Sequence, residues 1–389
     1  RRPPRSTLFS LHDALPILDP ARGKYNKVFS HATVDELEKE FWKHVDRTES
    51  EPIKVEYAAD LPYDKFGIKN FEGPDKAYET NPWNLNKLHN KKNSLLQFWT
   101  DRPISGITMS WIYIGMLFSS FCWHYEDIMM YSVNYMHEGA GKIWYWIPEY
   151  HREKFERITK EKLALLFDQD PNLLLNINVM LNPAFLVEND IHVYRTHQKP
   201  GEIILTFPEA YHQGVSVGFN IAEAVNLACP TWLDYGSKAM GIYLNTKEKI
   251  PVFPMEWMLI ENARKIDELS FDKEPLEELL AAYERYLQKE LTERSLVGSH
   301  FKEIPTYDSN IVKFLEDRDN VEEDQYECFY CVNLCYASFV KWNSCKKHYW
   351  ISHELVCGCS KDSFRVVLRY SDTELKDFLE NVKRKLTLF

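Results

Sequence analysis

The feature that most constrains this chain is its centre. From about residue 107 to 229, short apolar and aromatic segments follow one another, separated by glycine or proline. WIYIGMLFSSFCWHYED (111–127) is apolar and then abruptly polar. YSVNYMH (131–137) and KIWYWIP (142–148) follow, joined by a turn that holds Gly139 and Gly141. VYRTHQ, GEIILTFP and GFNIAEAVNLA complete the series, with NVMLNP (178–183) read alongside them. Short apolar runs with such punctuation predict strands. Only EYHREKFERITKEKLALLF (149–167) reads as a helix within this region. An aromatic content of 14% suits a β-rich core.

Strand parity sorts the polar residues of this core. Residues two apart share one face of a strand. His124 and Glu126 then point one way, as do Ser132 with Asn134 and Lys142 with Trp144. Tyr131, Val133 and Tyr135 take the opposite, packing face. Polar groups on one face of otherwise apolar strands are costly to bury without partners. A barrel mouth holding a metal and an anion would satisfy them.

His-x-Asp/Glu is a weak signal by itself. With 13 His and 58 acidic residues, chance alone supplies roughly two such tripeptides. His44-Val-Asp46 and His151-Arg-Glu153 lie on expected exposed helices and are assigned to solvated faces. His124-Tyr-Glu126 differs because it ends an aromatic run. His212, after GEIILTFP and before Gly214, supplies a third ligand. Two His and one carboxylate on one face of iron leave positions open for cosubstrate and oxygen. Lys142 can pair with the far carboxylate of 2-oxoglutarate.

The flanks differ in character. VDELEKEFWKHV predicts a helix over about 32–47, with Leu37, Phe41 and Val45 at helical spacing, and VEYAADL (55–61) reads as a strand. Residues 62–94 read as irregular structure, and 235–295 as helical. SDTELKDFLENVKRKL predicts a last helix with Ser371 or Asp372 as N-cap. The first eighteen residues resemble translated vector or adapter sequence rather than a signal peptide, and carry no role. No apolar run approaches the roughly 20 residues of a membrane helix, so no membrane partner is expected. A net charge of −11 argues against general nucleic-acid binding and is compatible with a cationic peptide. The acidic stretch 316–327 reads as a linker.

Cys122 and Cys229 are isolated in apolar surroundings and are expected to be buried. The other cysteines cluster between Cys328 and Cys359 and suggest metal binding in a reducing compartment. Cys328-x-x-Cys331 and Cys345-x-x-His348 form one expected zinc quartet. Cys335, Cys357 and Cys359 remain, with His353 as the natural fourth ligand.

At these residues the sequence resembles the JmjC histone lysine demethylases, most closely the JARID branch. The segments 118–148, 193–214 and 218–233 carry the resemblance, EKEFWKHV and VEYAADL extend it upstream, and the cysteine cluster resembles the following zinc finger. The resemblance implies iron ligands His124, Glu126 and His212, and 2-oxoglutarate contacts by Phe121, Ser132, Asn134 and Lys142, with Trp144 in the pocket wall. It places Tyr113 near the methylated lysine. It implies a mainly β catalytic core of the double-stranded β-helix, cupin or jelly-roll type, with surrounding helices, a C-terminal helical region and a zinc finger.

The implied layout is 1–20 non-native or disordered, 21–100 flanking the catalytic core, 101–233 the JmjC domain, 234–320 helical, 321–370 the zinc finger and 371–389 a C-terminal helix. The implied cofactors are Fe(II), 2-oxoglutarate and Zn. The implied activity oxidises N-methyl groups, releasing formaldehyde and succinate, in the nucleus. Its implied partners are a histone H3 tail methylated at lysine 4 and chromatin complexes, without a direct DNA-binding motif. A JmjC protein hydroxylase or a catalytically silent chromatin scaffold are the alternatives.

The sequence departs from the branch in places. Ser216 stands where Asn is more usual, and Met129 and Met130 occupy positions usually filled otherwise. Trp342 and Ser344 lie near the places of two family cysteines. No upstream JmjN, ARID or PHD segment is recognised, so the chain is expected to be a fragment.

Overall fold

Helix α1 (Val34–Asp46) buries Leu37, Phe41 and Trp42. Trp42 takes the place expected for Val45, which stays 37% exposed. The Thr33 hydroxyl accepts from the Glu36 amide at 3.3 Å, and Glu36 accepts from the Thr33 amide at 2.7 Å. These reciprocal bonds satisfy amides that the first turn leaves open. The indole of Trp42 donates to the Tyr145 hydroxyl at 3.0 Å, which anchors the helix.

The structure, a computed structural model, describes residues 31–46, 53–66, 76–99, 103–177, 179–246, 249–300, 312–314, 326–356 and 364–389. The adapter-like start, Cys357, Cys359 and the acidic linker as far as residue 325 lie outside the described residues. The chain divides into two units. The first comprises 1–89, 101–126 and 130–227, and the second 90–100, 127–129 and 228–389.

The first unit holds β1 (Tyr57–Pro62), β2 (Trp111–Gly115), β3 (Ser120–His124), β4 (Tyr131–Gly139), β5 (Lys142–Trp146), β6 (Tyr194–Gln198), β7 (Ile203–Thr206), β8 (His212–Ser216) and β9 (Asn220–Leu227). They form a five-stranded sheet, β1-β2-β9-β4-β7, and a four-stranded sheet, β3-β8-β5-β6. Every pairing in both is antiparallel. This is the cupin-type arrangement, with neither sheet closed on itself. The β4–β5 turn requires its glycines. Gly139 has φ +104°, and a Cβ there would lie 2.1 Å from the Phe219 carbonyl oxygen.

Two expectations change here. The segment around 178–183 is not a strand among the described residues: Val179 to Asn182 carry no regular secondary structure, and Asn182 caps the short helix Pro183–Glu188. Proline at the first helical position favours that start. The stretch 62–94, expected to be irregular, contains the short helices Tyr63–Phe66 and Lys76–Thr80 and the 3-10 turn Leu85–Asn90. Buried Glu223 of β9 fastens part of it, accepting from Tyr78 at 2.8 Å, Asn86 at 3.1 Å and Ser110 at 2.5 Å.

The second unit contains α2 (Leu233–Thr246), α3 (Met255–Arg264), α4 (Lys273–His300) and α5 (Asp372–Leu386). Ser371 caps α5 in a complete capping box with Glu374. A further sheet runs β10-β13-β11-β12, from β10 (Val312–Phe314), β11 (Ser338–Trp342), β12 (His348–Trp350) and β13 (Phe364–Leu368). Cys328, Cys331 and Cys335 are buried against Phe339, Trp342 and Trp350 of this sheet. No helix among the described residues is long and apolar enough to cross a membrane.

Candidate metal and cosubstrate site

Strands β3 and β8 pair so that His124 lies directly opposite His212. Their rings stand 4.3 Å apart, centroid to centroid. His124 Nδ1 donates to the Cys122 carbonyl at 2.8 Å, and His212 Nδ1 to the Ala210 carbonyl at 3.0 Å. A carbonyl can only accept, so each Nδ1 carries the proton and each Nε2 is left for a metal. The Glu126 carboxylate lies 3.4 Å from His212 Nε2. One ligand atom from each of His124, Glu126 and His212 falls within 4.8 Å of the other two. Two neutral imidazoles and a carboxylate are the donor set of a facial non-haem iron site.

Glu126 reaches this position differently from the expectation. β3 ends at His124, so strand parity does not orient Glu126. Asn226 of β9 does so, donating to Glu126 Oε2 at 3.0 Å and to the Tyr131 carbonyl at 3.3 Å. Burial raises the Glu126 carboxyl. The side chains of His212, His124 and Asn226 around it outweigh that effect and hold the carboxyl low. The competing His44 and Glu153 stand apart from this group, and Glu153 has an 89% exposed side chain. The nearby thiol of Cys122 is half-buried, as is Cys229, where full burial was expected.

The expected cosubstrate residues lie on three strands: Phe121 on β3, Ser132 and Asn134 on β4, and Lys142 and Trp144 on β5. Ser132 Oγ lies 2.6 Å from Thr206 Oγ1 across β4–β7. Asn134 accepts from Gln198 at 3.2 Å, and Gln198 accepts from the Trp144 indole at 2.8 Å. Phe121 packs edge-on to Trp144 at 4.8 Å, and Trp144 stacks on His212 at 5.9 Å. Lys142 is 2% exposed and donates to Asn220 Oδ1 at 2.6 Å. Burial pulls its ammonium down to about 7. Ser216, the residue departing from the family, faces Lys142 across β5–β8 and accepts from Ser119 at 3.0 Å. Met129 and Met130 are fully buried.

Gly214 leaves room for Phe121 and the β5 backbone. A Cβ there would meet Phe121 Cζ at 2.6 Å and the Ile143 carbonyl at 2.7 Å. Gly214→Ala is expected to destabilise the protein by about 1–3 kcal/mol and to displace Phe121. Chemical denaturation and 2-oxoglutarate affinity measure the two effects.

Sequence reasoning missed Asn226, Asn220, Thr206 and Gln198. The signal was present in β9. Asn220, Ala222, Ala224 and Asn226 alternate with larger residues and place small and amide side chains on one face. Asp60 and Tyr57 were also missed. Tyr113, the expected substrate residue, donates to Asp60 Oδ1 at 3.0 Å. Burial raises the Asp60 carboxyl, the Tyr113 hydroxyl lowers it, and the Glu126 charge raises it further.

In the cysteine module the expected first quartet does not assemble. His353, rather than His348, joins Cys328 and Cys331. The reason is the β11–β12 pairing. It fixes His348 on a strand whose backbone bridges to Cys328, with its ring against Tyr326 and Phe339. The 3-10 turn Ile351–Val356 then carries His353 to within 3.6 Å of the Cys328 sulfur. Cys331 and Cys335 donate to Cys328, whose thiol is thereby strongly acidified. Cys345 is half-buried and outside this group.

Comparison with known proteins agrees with this geometry. The JmjC domain (hydroxylase) family matches residues 111–227, and the C5HC2 zinc finger family matches 328–378. The lysine-specific demethylase JMJ17 of Arabidopsis thaliana is 32% identical over 96% of this chain and 31% of its own length. Lysine-specific demethylase 5B of Gallus gallus is 32% identical over 94% of this chain and 24% of its own. Lysine-specific demethylase 5D of Homo sapiens is 31% identical over 98% of this chain and 25% of its own. The chain thus spans about a quarter to a third of the length of these curated relatives. By domain order the chain carries a JmjC domain followed by a C5HC2 zinc finger, and along nearly its whole length it is similar to lysine-specific demethylases.

Proposed function

We propose that this chain is an Fe(II)- and 2-oxoglutarate-dependent histone lysine demethylase. It removes N-methyl groups from lysine 4 of the histone H3 tail in the nucleus, releasing formaldehyde and succinate. The observation that carries this reading is the paired His124–His212 site, in which both Nδ1 atoms are tied to carbonyls and Glu126 closes the third side.

His124, Glu126 and His212 would hold the iron. With 2-oxoglutarate and dioxygen, bound iron would supply the oxidation of an N-methyl C–H bond. Lys142 would receive the far carboxylate of 2-oxoglutarate, with Ser132 and Asn134 offering hydrogen bonds. Phe121 and Trp144 would exclude water from that side, where the buried setting strengthens each electrostatic contact. The demethylase names of the relatives support the substrate class. Incubation with iron, 2-oxoglutarate and methylated H3 peptide is expected to release succinate and formaldehyde together. A hydroxylated peptide without formaldehyde would instead indicate a protein hydroxylase.

For the cysteine module, Cys328, Cys331 and His353 would hold one zinc, with Cys335 as the adjacent fourth donor. Its role is structural, since a site filled by protein ligands leaves no position for chemistry. Cys328→Ser is expected to remove that zinc and unfold the module, read as lost zinc by elemental analysis and as a new early thermal transition.

A further inference from the structure

We propose that Trp232 and Tyr243 are positioning residues for the metal site: they hold a strained turn at Ile128 and Met129, and that turn fixes the backbone from which Glu126 reaches the metal. This rests on the iron-site reading above and deepens it.

The strain lies just after the carboxylate ligand. β3 ends at His124 and β4 begins at Tyr131, so the chain passes from one sheet to the other within residues 125–130. Two consecutive left-handed residues make the passage. Ile128 has φ +46° and ψ +30°, and Met129 has φ +54°. Neither is glycine, and a β-branched residue in that region is an outlier. Such a conformation persists only where its surroundings over-determine it, and it gathers at functional sites.

Two side chains supply that constraint. The Ile128 amide donates to the Tyr243 hydroxyl at 3.1 Å, and the Trp232 indole donates to the Ile128 carbonyl at 2.9 Å. Both backbone polar groups of the strained residue are therefore held. Trp232, Tyr243, Ile128 and Met129 are all buried, so a lost partner is not replaced by bulk water. The Tyr243 hydroxyl, used as an acceptor, turns its own proton toward Asp127 Oδ1, 3.5 Å away. The Lys249 ammonium lies 2.6 Å from the same oxygen. Asp127 is the residue between Glu126 and Ile128, and it is thus fastened through its side chain as well.

Glu126 is held from its other end by Asn226, which donates to the carboxylate. No strand pairing fixes its backbone, because β3 has already ended. The turn supplies that second anchor. Without the hydrogen bonds to Ile128, the turn relaxes toward negative φ and moves the peptide that carries Glu126. The carboxylate then no longer meets His212 Nε2 at its present 3.4 Å. Contacts that orient a ligand in this way set metal affinity as well as activity.

The test is a Ni(II) titration of the complete chain, loaded with zinc. Ni(II) binds sites of this kind more tightly than Fe(II). Tyr243→Phe removes one hydroxyl and is expected to weaken Ni(II) binding by about tenfold. In a Glu126→Gln background the same substitution should change affinity by less than about twofold, because the clamp acts through Glu126. A merely structural role would lower the denaturation midpoint of the protein but leave the Ni(II) affinity of the folded state as it is. Trp232→Phe removes the other hydrogen bond, and it carries the test if Tyr243→Phe does not fold. Undiminished affinity in the single variants, or an equal loss with and without Glu126, overturns the assignment of Trp232 and Tyr243 alone. Ni(II) binding by the wild-type protein that is absent, or that His212→Ala leaves unchanged, overturns the metal-site reading itself.

Discussion

His212→Ala is expected to abolish demethylation, with kcat falling at least about a thousandfold. The imidazole is buried and faces His124 across the β3–β8 pair. Removing it leaves two donors, too few to fix a facial metal, and opens a void beside Trp144 and Phe121. The cysteine module has its own core and ligands, so its zinc should remain. Iron content, zinc content and formaldehyde release, measured on the same preparation, separate these consequences. Turnover retained by the variant would refute the role of His212.

The second large effect is expected at Lys142. Lys142→Met keeps much of the apolar stem and removes the charge. It should raise KM for 2-oxoglutarate by about a hundredfold, because an anionic carboxylate would then be buried without its partner. The sign of the pH dependence follows from the same group. Burial lowers Lys142 to about 7, so its cation is present below that pH and lost above it. Affinity of the wild-type protein for 2-oxoglutarate should therefore weaken as pH rises above about 7. The Met variant should lack this component. Bound 2-oxoglutarate favours the cation, so the loss should begin at higher pH once it is bound. Titrations of affinity against pH for both proteins read the difference directly.

Much of this site could be read from the order of residues. His124, His212, Lys142, Ser132 and Asn134 sit on or at the ends of strands, where a two-residue period fixes the face. Glu126 was reached for the wrong reason. It lies beyond the end of its strand, and a long-range contact from Asn226 orients it. No local period reports such a contact. In the cysteine module, ligand spacing favoured Cys345-x-x-His348 over His353. The β11–β12 pairing, set by apolar residues far from any ligand motif, decided otherwise. α1 shows the same limit on a smaller scale. Its period was legible, but the Trp42–Tyr145 hydrogen bond turned the buried stripe toward Trp42 and left Val45 outside.

The site of His124, Glu126 and His212 is proposed to remove methyl groups from lysine. Mass spectrometry of a methylated histone peptide array, after incubation with the chain, iron and 2-oxoglutarate, addresses it most directly. The expected result is stepwise loss of methyl mass at lysine 4 of H3, with one formaldehyde and one succinate for each methyl removed. The loss should be absent without iron or with His212→Ala. Fully metallated protein that leaves every peptide unchanged, or that adds oxygen without releasing formaldehyde, would rule out this role for the site.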